Sequence, residues 1–493
     1  MKILAHPSSS NEVTSKLFMR PSFSNLSSVV ALAELLISDA RYVLTVDDKR
    51  RIIRDGAIAI DGMEIVDVGK SSELKRKYPT AEKIDAKGKL VMPGLFDCHA
   101  HSYQNMVRGM AFILPRRQRA GFALGAGLRL WAVYSPEDAK ASMALNCLEN
   151  IKNGIIGFCD WGINLRYGFD GLAEVVDKSG IRAVLGKSVM EHPSFGVLER
   201  AIPEGLWENK DECIKDTLRV VKKWNGKADG RIKVWFGPRS VGALEVETYK
   251  EIARLVKEYN IGITFHLAEE AEIDAGFIHR EYGMSPMEFM KSVGWVGPNV
   301  DVVHCPWLTG IDLKILMETN TNVVHCPLGG LDTMVGYMLE MGVNVALGCD
   351  GGHQRNDIFE AMFAENLLKN RQPRRDLTVL YPEKIIEMAT INGAKALTWD
   401  KVTGSIEKGK RADIILIDLE KPELVPAINP ILNLAYRTRG CDVSTVIVNG
   451  KVLMENRIVK TMDESRILEE AQRRSEEVKE RAKHEVEYYW PMQ

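Results

Sequence analysis

The sequence has few of the features that mark secreted, membrane-spanning or nucleic-acid-binding proteins. Only eight cysteines are spread over 493 residues and none forms a CxxC pair, so we expect free thiols in a reducing compartment, the cytoplasm. No apolar stretch reaches the roughly 18 residues that cross a bilayer, and SVVALAELLI near residue 30 contains Glu34. The net charge of −2 offers no basic surface for nucleic acid or an anionic membrane. These absences favour a small-molecule substrate and exclude nucleic acid and membrane as expected partners.

Both ends of the chain differ in pattern from its centre. Residues 1–33 are rich in Ser and Asn and lack the charged start and cleavage site of a signal peptide, so they are predicted to be an N-terminal extension. Residues 34–92 and 404–460 alternate β-branched runs with turn residues, including a DG and an NG hairpin signal. We predict that these two segments join into one small discontinuous β-sandwich. Residues 461–493 are predicted to form a charged C-terminal helix, most simply a solvated surface helix.

Residues 93–403 have the rhythm of a parallel α/β domain. Apolar runs of strand length alternate with stretches of helical period such as ETYKEIARLVKEYN. The runs are, in order, PGLFDCHAH, GIIGFCDWG, RAVLGKSV, IKVWFGPRS, GITFHLAE, DVVHCPW, NVVHCPLG and VNVALGCDGG. Eight parallel strands close a (β/α)8 or TIM barrel, whose reactive groups lie at the carboxyl ends of the strands, where polar residues stand here. A doubly wound sheet is the alternative, but no GxGxxG follows the first run.

The strongest functional pattern is a pair of histidines, His99 and His101, at the end of the first run. Alternate residues of a strand share one face, so both imidazoles can bind one divalent metal ion. The pair alone is weak, because histidines on a half-buried strand can simply satisfy hydrogen bonds. Further runs end in residues that can bind a metal or transfer a proton, namely His266 and Glu269 in FHLAE, His304 in VVHCP and Asp350 in VALGCDGG. This recurrence favours a metal site.

Taken together, these motifs resemble the amidohydrolase superfamily, in the branch with cytosine, guanine, 8-oxoguanine and thioadenosine deaminases and triazine chlorohydrolases. The resemblance covers residues 34–460 and includes PEKIIEMATINGAKAL and GSIEKGKRADIILID. It implies one divalent metal, Zn²⁺ as the first choice and Fe²⁺ as the alternative, held by His99, His101, His266 and Asp350. The metal would convert water into a hydroxide that attacks an electron-poor ring carbon, with release of ammonia.

The resemblance also implies the residues that move protons. Glu269 would be the proton shuttle, which a metal alone cannot replace; the alternative is a surface glutamate in an acidic run. His304 would orient the water or polarise the substrate, and Asp350 would accept the proton of the water. The family does not use the position of His325 as a ligand, so this histidine is expected to support the core. The fourth strand lacks the lysine of two-metal members, whereas Lys187 ends the third strand, as a substrate contact or with its amine in solvent.

Substrate contacts are expected from three residues. Gln104 in HAHSYQ and Arg239 in GPRS resemble positions with which guanine and 8-oxoguanine deaminases hold the purine. An amide offers donor and acceptor together, and a guanidinium binds a carbonyl through two donors. Alternatively, Gln104 caps a loop and Arg239 pairs with a carboxylate on a neighbouring strand. His353, close to Asp350, is a third candidate, and the long loop between Tyr103 and Tyr134 is expected to cover the site.

Two loops depart from the resemblance and leave the substrate open. PLGG at 327–330 replaces the Pro-x-Ser-Asn of thioadenosine and guanine deaminases, and GGHQR follows Asp350. We therefore expect a metal-dependent aminohydrolase of an amino-substituted heterocycle such as guanine, 8-oxoguanine, a pterin or a pyrimidine, rather than a bulky nucleoside. One alternative is a triazine-type hydrolase that displaces chloride or alkylamine. The other is a metal-holding scaffold without turnover, which the intact ligand set opposes. The family also suggests a homo-oligomer.

Overall fold

The computed structural model describes most of the chain. The described residues are 33–110, 125–239, 241–329, 333–352, 354–369, 380–484 and 490. His353, most of the predicted N-terminal extension and the centre of the predicted covering loop lie outside them.

The described residues form seventeen strands and sixteen helices. The strands are β1 Leu35–Leu44, β2 Ile52–Asp61, β3 Glu64–Lys70, β4 Glu82–Asp85, β5 Lys89–Pro93, β6 Leu95–Ala100, β7 Ile155–Ile163, β8 Arg182–Lys187, β9 Ile232–Phe236, β10 Ile263–Leu267, β11 Val300–His304, β12 Asn322–His325, β13 Val345–Leu347, β14 Ile414–Asp418, β15 Val443–Val448, β16 Lys451–Glu455 and β17 Ile458–Val459. The helices are α1 Ser71–Lys77, α2 Gly125–Trp131, α3 Pro136–Lys152, α4 Phe169–Ser179, α5 Lys210–Trp224, α6 Lys227–Gly230, α7 Val246–Tyr259, α8 Gly276–Tyr282, α9 Pro286–Val293, α10 Gly310–Thr319, α11 Val335–Glu340, α12 Ile358–Leu368, α13 Pro382–Ala389, α14 Ile391–Ala396, α15 Pro430–Tyr436 and α16 Glu464–Arg481.

Strands β6 to β13 form the predicted barrel. They lie in sequence order in one eight-stranded sheet and pair in parallel with their neighbours. The two edges meet where Ala100 bridges Asp350 and where the Asp350 N–H donates to the His99 carbonyl at 2.8 Å. Every residue of β6 and β7 is buried, as expected for parallel strands covered on both faces. All eight apolar runs are therefore barrel strands, and the predicted fold is confirmed.

The two β-rich flanks share a second, mixed sheet. Its order is β17-β16-β15-β14-β5-β1-β2-β3, with β4 beside β1. Strand β14 of the C-terminal flank pairs antiparallel with β5 of the N-terminal flank, from Ile414 opposite Pro93 to Asp418 opposite Lys89. A separate apolar core joins strands from both flanks. The flanks thus associate as predicted, whereas the proposed domain limits stay a prediction because strand pairing does not define where a folding unit ends.

A buried ion pair fastens the mixed sheet to the barrel. Arg182 at the start of β8 donates through Nε to Asp413 Oδ2 at 2.7 Å, and both side chains are almost completely buried. The same guanidinium donates to Asn449 at the end of β15. Asp413 and Asn449 both belong to the C-terminal flank, so Arg182 joins the amino end of the barrel strands to the mixed sheet.

The C-terminal helix packs against the barrel rather than standing free in solvent. Arg474 and Arg481 of α16 pair with Asp138 near the start of α3. The Ser475 hydroxyl donates to the Met106 carbonyl at 2.6 Å, in the loop that follows β6. Only Ala471 and Val478 of α16 are buried, so α16 is a charged surface helix whose polar side chains also support a loop at the carboxyl end of the barrel. Among the described residues no helix is long and apolar enough to cross a membrane.

Candidate active site

Four side chains predicted to bind metal converge at the carboxyl end of the barrel. His99 and His101 come from the end of β6, His266 from β10, and Asp350 from the segment after β13, and each offers one ligand atom within 4.8 Å of the others. His266 Nε2 lies 3.0 Å from His99 Nε2, and His101 Nε2 lies 3.1 Å from Asp350 Oδ1. Three imidazoles and one carboxylate at these separations fit a divalent cation with an open coordination position.

The electrostatics of the cluster favour the protonation states that bind metal. Burial lowers the pKa of His99 to about 3 and the pKa of His266 well below its usual value, so both imidazoles are neutral. Burial acts to raise the pKa of Asp350, but hydrogen bonds to His101 and His99 outweigh it and hold that pKa well below its usual range. Neutral imidazoles and an ionised carboxylate are the forms that coordinate a metal.

Buried polar groups orient the histidine pair. Asp97 Oδ1 accepts the backbone N–H of His99 at 3.3 Å and of Cys349 at 2.9 Å, which links the first barrel strand to the last. Burial raises the pKa of Asp97 to about 7. The Tyr103 hydroxyl lies 3.2 Å from His101 Nδ1, leaving Nε2 directed at Asp350. Such outer contacts fix the orientation and tautomer of an imidazole that binds metal.

Three strand ends at the site pass through left-handed backbone. Ala268 after β10, His304 at the end of β11 and Asp350 after β13 have φ angles of 51°, 73° and 68°. Residues other than glycine adopt this region rarely, and functional sites concentrate such strain. The left-handed turns bring Glu269, His304 and Asp350 inward at the strand ends, a feature that the strand pattern does not indicate.

Glu269 lies beside the cluster in the position predicted for a proton shuttle. Its Oε1 is 3.9 Å from His304 Nε2, and both residues offer ligand atoms within 4.8 Å of one on His266. Although 31 % of its side-chain surface stays accessible, surrounding protein atoms withdraw the carboxyl group from bulk water. This burial, with the nearby charge of Asp350, raises the pKa of Glu269 well above its usual value. The carboxyl group therefore releases its proton less readily than that of an exposed glutamate.

His304 stands between Glu269 and the histidine cluster. Its ring is stacked on that of His266, with centroids 5.2 Å apart and planes 8° from parallel, and it is almost fully buried. Burial lowers the pKa of His304, which keeps the imidazole neutral. The Thr333 hydroxyl donates to the His304 carbonyl at 2.9 Å and holds the strand end in place. The roles predicted for His304 and Glu269 stay predictions.

Arg239 reaches the site over a tryptophan that the motifs did not reveal. Its guanidinium lies 5.4 Å from the ring centroid of Trp161, and the Trp161 ring lies 4.1 Å from that of His266. The Arg239 backbone N–H donates to the Val189 carbonyl at 3.0 Å. Its side chain makes no hydrogen bond or salt bridge within the described part of the chain, and its buried Nε has no acceptor there. The alternative of a carboxylate partner is therefore not observed among these residues. Trp161 lies near the carboxyl end of the second apolar run and could have been singled out by that position.

One of the polar atoms of the Gln104 side chain forms a hydrogen bond within the protein. It lies in a 3₁₀ turn, Ser102–Val107, and its Oε1 accepts the Gly352 N–H at 3.1 Å. The oxygen thus connects the loop after β6 to the segment after Asp350, as in the loop-capping alternative. Its amide NH₂ is the part that could meet a substrate, so the predicted contact stays a prediction.

Two further polar side chains at strand ends, those of Lys187 and His325, contact carboxylate groups of the protein. Lys187 is fully buried, and its Nζ lies 3.9 Å from carboxylate oxygens of Glu208 and Asp216, so its amine is not in solvent. His325 Nε2 lies 2.7 Å from Glu365 Oε2, and both side chains are buried. This pairing agrees with the interpretation of His325 as a supporting residue.

A barrel with such a cluster at its carboxyl end defines a class of metal-dependent hydrolases, and comparison with known proteins identifies the family. Residues 90–453 match the Amidohydrolase family, and the chain belongs to it, as the sequence motifs suggested. It is a hydrolase that acts on carbon–nitrogen bonds, other than peptide bonds, in cyclic amidines.

Similar proteins include nucleoside deaminases. The 5'-deoxyadenosine deaminase of Methanosarcina acetivorans is 36 % identical over 92 % of this chain and 100 % of its own length. The 5-methylthioadenosine/S-adenosylhomocysteine deaminase of Thermoanaerobacter pseudethanolicus is 32 % identical over 89 % of this chain and 98 % of its own. A zinc-bound adenosine deaminase from Xanthomonas campestris has a TM-score of 0.80 at 23 % identity, covering 92 % and 99 % of the two chains. The zinc complex of atrazine chlorohydrolase TrzN from Arthrobacter aurescens has a TM-score of 0.79 at 23 % identity, covering 90 % and 100 %.

Proposed function

We propose that the protein deaminates an adenosine-type nucleoside with a small 5' substituent, such as 5'-deoxyadenosine. The observation that carries this proposal is the position of Glu269, whose Oε1 lies 3.9 Å from His304 Nε2, beside a cluster suited to one divalent metal. The names of relatives that match along nearly their whole length support an adenosine-type substrate. They give no support to guanine or 8-oxoguanine, nor to the expectation of a free base rather than a nucleoside.

The donor set supports one metal ion held by His99, His101, His266 and Asp350. Zinc is the first choice, supported by the zinc that two neighbours of the same fold contain, and Fe²⁺ is the alternative. When bound, a divalent cation in such a site activates water as a nucleophile near neutral pH. The proposed cytoplasmic location and homo-oligomeric state rest on the sequence and the family.

The remaining chemistry is assigned to side chains of this chain. Glu269 protonates ring nitrogen N1 as carbon C6 is attacked, a role favoured by the burial and the Asp350 charge that raise the pKa of its carboxyl group. His304, within 4 Å of Glu269, orients the attacking oxygen, and Asp350 accepts the proton that this oxygen releases. The proton held by Asp350 then passes to the departing amine, which leaves as ammonia as the C6–N bond breaks. The remaining hydroxyl proton returns to Glu269 as the C6 carbonyl forms. His353 stays a proposed substrate contact because of its place after Gly352.

Arg239 supports a second candidate, an oxo-amino heterocycle. A buried guanidinium whose Nε has no acceptor among the described residues, next to the cluster, suits a ring carbonyl oxygen, which can accept two hydrogen bonds. Adenine presents only ring nitrogens with one acceptor position each. An 8-oxoguanine- or pterin-like compound is therefore the second candidate substrate, after the adenosine-type nucleoside.

The test is product analysis with protein loaded with Zn²⁺ or Fe²⁺. Ammonia release is measured with adenosine, 5'-deoxyadenosine, 5'-methylthioadenosine, guanine, 8-oxoguanine, a pterin, cytosine and a chlorotriazine, and chloride is followed in parallel. We expect ammonia from 5'-deoxyadenosine and none from Glu269→Gln under the same conditions. Ammonia from an oxo heterocycle alone would favour the second candidate, and chloride or alkylamine without ammonia would favour a triazine-type hydrolase. Release of neither ammonia, chloride nor alkylamine from any of these compounds, with metal bound, would favour a metal-holding scaffold without turnover.

A further inference from the structure

A buried carboxylate holds the turn that follows Glu269. Asp274 lies in a single π-helical turn, Ala271–Ala275, which connects the end of the fifth barrel strand to α8. Its Oδ2 accepts the Glu269 N–H at 2.9 Å, and its Oδ1 accepts the N–H groups of Glu270 at 2.9 Å and Ala275 at 2.7 Å. The Asp274 side chain is almost completely buried. One carboxylate therefore satisfies three backbone donors, the first of which belongs to Glu269.

The same turn is clamped from outside by a neighbouring loop. The Val197 N–H, in the loop after β8, donates to the Ile273 carbonyl at 3.1 Å. Gly196 approaches so closely that a Cβ atom there would collide with the Ile273 oxygen, and its N–H donates to the Val241 carbonyl at 2.7 Å. Loops after three successive strands thus meet at this turn, with the Asp274 carboxylate on its inner side.

The preceding side of Glu269 is also fixed. The Cys305 N–H donates to the Leu267 carbonyl at 3.1 Å, and the Trp307 N–H donates to the Ala268 carbonyl. The backbone before Glu269 is therefore tied to the loop that carries His304. The N–H groups of Glu269 and Glu270 both donate to the Asp274 carboxylate, and further along the turn the Glu272 carbonyl accepts from the Arg280 side chain.

We propose that Asp274 is a positioning residue for Glu269. Its carboxylate fixes the Glu269 backbone so that the Glu269 carboxyl group stays beside His304 and the metal cluster, whereas Asp274 itself touches neither metal ligands nor substrate. The inference rests on the proposed function in that Glu269 is taken to transfer protons. A deviation of about 1 Å in a reacting group is enough to lower turnover strongly.

The substitution Asp274→Asn tests the contact selectively. An asparagine has one acceptor oxygen, which is best placed where Oδ1 accepts two N–H groups, so its NH₂ would face the Glu269 N–H and that hydrogen bond would be lost. Glu272→Gln is the matched control, because Glu272 lies in the same turn with its side chain exposed. Asp274→Ser is a second variant should Asp274→Asn not fold.

Turnover distinguishes positioning from a general structural role. We expect Asp274→Asn to lower kcat about 10- to 100-fold with KM and metal content nearly unchanged, whereas Glu272→Gln behaves as wild type. In a Glu269→Gln background, Asp274→Asn should add less than about a twofold loss, because residues that act as one unit are not additive. An equal loss in both backgrounds, or an unchanged kcat in the single variant, would overturn the proposal.

Hydrogen–deuterium exchange tests, without a substrate, whether Asp274 holds the backbone around Glu269. We expect faster exchange in Asp274→Asn for the peptide spanning residues 268–276, with the peptide of β11 and the Glu272→Gln protein unchanged. Unchanged exchange at 268–276 would overturn the proposal even if the enzyme is active. Faster exchange in a protein that deaminates nothing would leave the contact established and refute the proposed function instead.

Discussion

Replacing Arg239 with methionine should make the ligand-free protein more stable and lower its kcat/KM for ammonia release. Removing an ion from water costs several kcal/mol even after the protein relaxes, and Arg239 has no carboxylate partner among the described residues. Its contact with Trp161 returns about 0.5–2 kcal/mol. Methionine fills a similar space without a charge, so Arg239→Met should raise the free energy of unfolding by about 1–3 kcal/mol.

Arg182→Met is the matched control with the opposite sign. Arg182, at the start of β8, is likewise a buried arginine, but it is paired with Asp413 at 2.7 Å and donates to Asn449. Its removal leaves the Asp413 carboxylate buried and unpaired, which should cost about 3–5 kcal/mol. The two variants differ in whether the protein or the substrate supplies the acceptor.

The assay compares denaturation midpoints at equal metal content with kcat/KM for ammonia release. A hydrogen bond to a charged group is worth about 1.5–3 kcal/mol, so Arg239→Met should lower kcat/KM by about 10- to 100-fold. Destabilisation of Arg239→Met like that of Arg182→Met would refute the reasoning, because Arg239 would then have a partner in the protein. A stabilised variant with unchanged kcat/KM would show that Arg239 does not touch the substrate.

Other predictions test the chemistry and the buried charges. Glu269→Gln should keep its metal, as measured by metal analysis, while turnover falls by about 10²–10⁴-fold. His304→Asn should slow turnover without emptying the metal site, which the same analysis checks. Burial raises the pKa of Asp160 from 3.8 to about 6, so its contribution to stability is present below the unfolded pKa and is lost as pH rises through the folded one. Between pH 4 and 6 wild type should therefore lose about 2 kcal/mol relative to Asp160→Asn in denaturant titrations. Removal of the metal by a chelator should lower the denaturation midpoint, and the ion that restores turnover, Zn²⁺ or Fe²⁺, identifies the cofactor.

The barrel and the proposed metal ligands could be predicted because both depend on local pattern. Parallel strands buried on both faces leave long apolar runs, which are visible as eight segments of the sequence. The ligand candidates stand at the ends of those runs, and the closure of a barrel brings such ends together. The alternation of His99 and His101 on one strand requires no knowledge of the loops, which is why these positions were clear.

The surroundings of the ligands depend on contacts that no local pattern encodes. The Gln104 Oε1 accepts the Gly352 N–H, which lies 248 positions away in the sequence. This hydrogen bond could therefore not be predicted from the sequence near Gln104. The π-helical turn that places Asp274 under Glu269 follows from packing against the loop after β8. The α16 helix seemed solvated because its composition is charged, yet three of its polar side chains bind α3 and the loop after β6.

Arg239 also separates the two substrate candidates, because they present different numbers of acceptors. A ring nitrogen of adenine accepts one hydrogen bond, which a lysine ammonium can donate nearly as well as a guanidinium. A ring carbonyl oxygen accepts two hydrogen bonds, which the planar fork of arginine can donate from adjacent N–H groups. Arg239→Lys should therefore retain most of kcat/KM if the substrate is an adenosine-type nucleoside. It should lose about as much as Arg239→Met if the substrate is an oxo-amino heterocycle. Because the charge and the stem stay similar in Arg239→Lys, the ratio of the two losses depends on the shape of the acceptor and not on the burial of the cation.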